Sequence, residues 1–94
     1  MFAEHLRFRV EPGRATDFQA HNHRWSAALA RQDGWLGQEV LRHADKAETW
    51  LVVVRWRDRA AMLAFPDEVQ RALDDAGATC GTLVQADHFE EVGA

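Results

Sequence analysis

The 94-residue chain has no tyrosine, two prolines and a single cysteine, Cys80. One cysteine excludes an internal disulfide. Cys80 lies in a Thr79-Cys80-Gly81 turn with no adjacent base, so it lacks the neighbours that lower a thiol pKa for catalysis. Basic residues alternate with acids and form no run, and the formal charge is −4. A phosphate-tracking patch is therefore missing, and nucleic acid is not an expected partner. No apolar run approaches the roughly 20 residues of a membrane-spanning helix, so a membrane is not expected either. The segment Met1-Phe2-Ala3-Glu4-His5 lacks the basic-then-apolar pattern of a signal peptide. With the lone cysteine, this points to the cytoplasm. Gly-rich phosphate loops, a Ser-His-Asp signature and paired carboxylates with a clear role are also missing. His21 and His23 lie two residues apart, which on a helix turns them about 200° from each other. Zinc-binding pairs on a helix stand four apart, so this pair does not predict a metal site.

What is present suits one domain spanning residues 1–94. A domain of this size buries only about 60–65% of its unfolded surface, so its core is thin. Four tryptophans, at positions 25, 35, 50 and 56, are many for so short a chain. They suit a lined pocket or a partner surface as well as a core.

Periodicity gives the element order. From Phe2 to Val10, Phe2, Leu6, Phe8 and Val10 share one parity, with Glu4 the exception; this is a strand with one apolar face. Pro12-Gly13 breaks it. Thr16 and Gln19 form a capping-box pattern for a helix running to about Gln32, with a stripe through Phe18, Asn22, Trp25, Ala28 and Leu29. Asp33-Gly34 ends that helix. Trp35–Arg42 reads as a second strand, with Leu36 and Val40 on one face and Trp35 and Leu41 on the other, so both faces are partly apolar. Thr49–Arg57 reads as a third, apolar on both faces. Asp58 caps a second helix whose stripe through Met62, Phe65, Val69, Leu73 and Ala76 crosses Pro66, so it is kinked or built of two abutting pieces. Thr82–Val92 is a last, charged strand suited to an edge.

Two helices with one apolar stripe each need the same sheet face. Right-handed crossovers then give an α+β, ferredoxin-like βαββαβ fold with the antiparallel strand order 4-1-3-2. In the third strand Trp50, Val52, Val54 and Trp56 face the helices. Leu51 and Val53 then lie on the opposite face, which no helix covers. A second copy covering that face would bury it, so a homodimer through the sheet is expected. His5, Arg7 and Arg9 would point into that interface, either paired with Glu39, Asp87 or Glu91 or forming an anion site for an acidic ligand, and His88 could join either arrangement.

The runs Val10-Glu11-Pro12-Gly13-Arg14, Asp33-Gly34-Trp35-Leu36-Gly37 and Val54-Arg55-Trp56-Arg57-Asp58, followed by Ala60-Ala61 and Phe65, resemble the dimeric α/β-barrel superfamily. Within it they are similar to the antibiotic biosynthesis monooxygenase (ABM) domain, across nearly the whole chain. The resemblance implies a barrel of two protomers, a small-molecule pocket between sheet and helices in each, and no metal or flavin. The haem-degrading branch uses an Asn on strand one, a Trp ending strand three and a His on helix two. Trp56 matches the Trp, Leu6 stands where the Asn would be, and the Phe65-Pro66 segment offers no His. Haem degradation by that arrangement is not expected.

The candidate site residues follow. Asn22 is a polar residue on an apolar stripe, where a buried amide needs a partner: a ligand, or a strand carbonyl. Trp56 and Trp25 could wall a pocket around a flat molecule or simply close the core, and Leu6 would line such a pocket. His21 could serve as a base, or pair with His23 as a solvated couple. Three functions stay open: a cofactor-free oxygenase acting on a small aromatic molecule, a non-catalytic domain binding such a molecule, and an accessory dimer without a ligand.

Overall fold

The computed structural model describes residues 1–93. Its elements are β1 (Phe2–Arg9), a 3-10 turn (Pro12–Arg14), α1 (Ala15–Leu29), β2 (Trp35–Arg42), β3 (Thr49–Trp56), α2 (Arg59–Leu63), α3 (Asp67–Ala76) and β4 (Thr82–Glu90). The strands form one antiparallel sheet in the order β2-β3-β1-β4. Read from the other edge, this is the 4-1-3-2 order expected from the crossover rule.

Three helices cover the sheet face that carries Phe2, Trp50, Val52, Val54 and Trp56. The second helical stripe is two pieces, as the proline within it predicts. α2 stops at Leu63, and Pro66, in extended conformation, leads into α3. Asp58 caps α2 by accepting a hydrogen bond from Ala61 N at 2.8 Å, and this bond is the main reason its carboxyl pKa is lowered. Gly34 follows α1 with φ +89°, the left-handed region in which glycine meets no steric penalty.

Two local expectations are corrected. The Thr16/Gln19 capping box does not form, because the 3-10 turn runs straight into α1 and starts the helix at Ala15. Thr16 is thus inside the helix, and Arg14 at the cap position makes no side-chain cap. Leu36 does not share a face with Val40. Trp35 pairs with Trp56 but Gly37 with Arg55, so Leu36 is the extra residue of a bulge and is 58% exposed.

The outer sheet face also differs from the sequence reading. Val53 is only 4% exposed in the single chain. Its cross-strand neighbours are His5 on β1 and Glu39 on β2, and Glu39 forms an ion pair with Arg55. Arg7 donates to Gln85 rather than to an acid, and Gln85 donates to Asp87. His5 packs on Phe89 with ring centroids 4.7 Å apart. Glu91 meets the N-terminal ammonium. Most polar residues of this face are therefore partnered within one chain. Its apolar remainder includes the partly exposed Leu51 on β3, and Leu41 and Phe89, toward opposite edges and about half exposed. No helix among the described residues is long and apolar enough to cross a membrane.

Candidate functional site

Between the sheet and the helices lies a cavity of about 530 Å³, within the range of small-molecule sites. Leu6, Asn22, His21, Trp25 and Trp56, the five residues singled out in the sequence, all line it. Leu6 and Trp56 come from β1 and β3; the other three come from α1. Trp25, Phe65 and Trp56 form an aromatic series, with centroids 5.8 Å apart for Trp25–Phe65 and 6.3 Å for Trp56–Phe65. These spacings suit offset or tilted aromatic packing.

On the sheet side, the alternation of β1 and β3 turns every second residue inward. Trp56 is fully buried, and its indole Nε1 donates to Glu4 Oε1 at 2.8 Å. Glu4 Oε2 stands 3.5 Å from His88 Nε2. The strand register sets His88 beside Glu4, Glu4 beside Val54 and Val54 beside Gln38. One row thus crosses all four strands, and all four of its residues line the cavity. Gln38 Oε1 is shut off from solvent and has no hydrogen-bond partner among the described residues.

The helix side is arranged differently. His21 is buried, while His23 is exposed. The solvated-pair reading holds for His23 only, because His21 lies three residues beyond Phe18 and shares its inward side. Trp25 Nε1 donates to His21 Nε2 at 2.9 Å, and Arg24 Nη2 lies 3.2 Å from Nδ1. A neutral imidazole has a single lone-pair nitrogen. With the shorter Trp25 bond made, Nδ1 carries the proton and the Arg24 contact is not a hydrogen bond. Burial lowers the His21 pKa most and the Arg24 charge lowers it further, against a smaller opposing effect of Asp74. His21 is therefore neutral at pH 7. Burial raises the pKa of Asp74, and His21 partly offsets this. Gly77 backs the ring: a Cβ there would collide with His21 Nε2. Asn22 is also buried, and its Nδ2 donates to Phe18 O at 3.0 Å. Its partner is thus a carbonyl of its own helix, not one of a strand.

Glu4, Gln38 and Asp74 were not singled out from the sequence. The signal for Glu4 was there, as the one acid on the inward parity of β1. Gln38 was hidden by the bulge that shifts the faces of β2. Asp74 sits on α3, none of whose ten residues is buried. Among the described residues, no group of three or more His, Cys, Asp or Glu is placed to hold a metal ion.

The sequence matches the antibiotic biosynthesis monooxygenase family over residues 1–73. No curated protein matches it. Among solved structures, SnoaB from Streptomyces nogalater, a cofactor-independent oxygenase, superposes with a TM-score of 0.82 at 24% identity, over 99% of this chain and 94% of that one. A mutant form of the same protein gives 0.84 at 21% identity over the same shares. A Bordetella bronchiseptica protein named after the same family gives 0.82 at 20% identity, over 97% of this chain and 96% of that one. At these identities the structural likeness establishes the fold.

Proposed function

Because the chain belongs to the antibiotic biosynthesis monooxygenase family, we propose that it is a cofactor-independent monooxygenase acting on a small, flat aromatic molecule. The observation that carries this reading is the aromatic-walled cavity of about 530 Å³ with a few polar groups entering it. The SnoaB likeness adds a relative that works as a cofactor-independent oxygenase. Trp25 and Trp56 wall the ligand, Leu6 lines the cavity beneath it and Asn22 orients it. His21, kept neutral by burial, is a base once Trp25 Nε1 gives up its hold on Nε2.

The substrate supplies the electrons. An activated ring CH2 loses a proton to the base, and the resulting electron-rich anion reduces O2. One oxygen atom becomes the new carbonyl and the other leaves as water, so each substrate consumes one O2. The test is dissolved-oxygen uptake by the purified protein with chelator present, using anthrone and a panel of phenols. Uptake equal to substrate oxidised supports the reading. Saturable binding without uptake would leave the same cavity as a non-catalytic binding site.

The working unit in this reading is a homodimer of single domains, 1–94, joined through the outer sheet face. The half-exposed Leu41 and Phe89 on that face and the family resemblance support it. Light scattering coupled to size exclusion tests it, and a monomer at micromolar concentration would contradict it. The single buried Cys80 suits a reducing, cytoplasmic setting.

A further inference from the structure

The row across the sheet floor carries more than support for Trp56. Glu4 is a carboxylate on the inward face of a central strand, and a carboxylate can accept about four hydrogen bonds. Trp56 Nε1 takes one position on Oε1. His88 Nε2, at 3.5 Å from Oε2, is at the outer limit of hydrogen bonding. Acceptor capacity on Oε2 is left over. The Glu4 side chain is partly exposed and lines the cavity, so this capacity is within a ligand's reach. One strand beyond Val54, Gln38 Oε1 is closed off from solvent and so from a ligand in the cavity.

We infer that Glu4 is the specificity-determining residue of the cavity, its carboxylate accepting a hydrogen bond from an O–H on the edge of a flat ligand. This rests on the reading of the cavity as an aromatic-binding site and adds which atoms choose the ligand. Glu4 touches the ligand in this assignment and moves no proton in it.

The test is equilibrium dialysis of the full chain with two probes of one shape, 2,6-dihydroxynaphthalene and naphthalene. The wild type should bind the diol about tenfold or more tightly, as expected for a hydrogen bond to a charged acceptor. Glu4→Gln keeps an oxygen for Trp56 but replaces the free acceptor with a donor. It should cut diol binding about tenfold and leave naphthalene binding unchanged. A wild type without preference for the diol, or a preference that survives in Glu4→Gln, would overturn the assignment. Failure of both probes to bind the wild type would instead overturn the reading of the cavity itself.

Discussion

The floor and the wall of the cavity both place an indole N–H on a polar partner, yet they do so with different firmness. On the floor, Trp56 is fully buried on a central strand and donates across to a neighbouring strand, to a residue 52 positions away. On the wall, Trp25 is partly exposed and donates four positions back along its own helix to His21. The floor is fixed by sheet register, so its row of His88, Glu4, Val54 and Gln38 cannot shift without moving every strand pair. The wall is held by packing against α3, none of whose residues is buried. Under the proposed function this difference would divide the work: the rigid floor would recognise the ligand, while the looser wall would admit it and supply a base that a small side-chain movement exposes.

Trp56→Ala should have the largest effect, lowering stability by about 3–5 kcal/mol in urea denaturation. Trp25→Ala should cost only about 1–2 kcal/mol, since less of its surface leaves water. Equal losses would break the contrast between floor and wall.

Gly77→Ala comes next. The added methyl meets the His21 ring and should destabilise by about 1–3 kcal/mol, the usual range for overpacking. Combined with His21→Ala, most of that loss should vanish, and the double-mutant cycle reads the coupling. Simple additivity would mean that the ring is not braced by this glycine.

The pH response should be smaller still. His21 has a lowered pKa in the folded protein, so below the ordinary histidine value of 6.5 the unfolded chain takes up a proton that the folded chain refuses. Stability is then complete above that value and declines as the pH falls toward the lowered one. Asp74 has the opposite sign. Its raised pKa makes the folded chain bind a proton first, so acidification toward the ordinary value of 3.8 favours folding. The urea midpoint should therefore drop between pH 7 and the lowered His21 value, and this drop should shrink in His21→Gln. An unchanged pH dependence in that variant would show that the wall does not hold its imidazole neutral.

Much of this was legible in the sequence, for identifiable reasons. β3 announces itself because both parities are apolar, and the two-piece second helix follows from one proline. The capping box misled because a local four-residue signal was overridden by a 3-10 turn arriving from Pro12. His21 looked solvated because histidine counts as polar, although its three-residue spacing from Phe18 already put it inward. Glu4 stood out only as an exception to alternation, and nothing local to β1 says that Trp56 waits across the sheet. Val53 looked like a residue in need of a second molecule. Its neighbours His5 and Glu39 are long enough to cover it, which strand parity alone does not reveal.

The most direct measurement is a titration of intrinsic tryptophan fluorescence with anthraquinone, a flat quencher. A ligand lodged between Trp25 and Trp56 should give a saturable, one-site loss of emission that is strongly reduced in the Trp25→Phe/Trp56→Phe double variant. Quenching that rises linearly without saturation, or that persists unchanged in that variant, would contradict the cavity as a binding site.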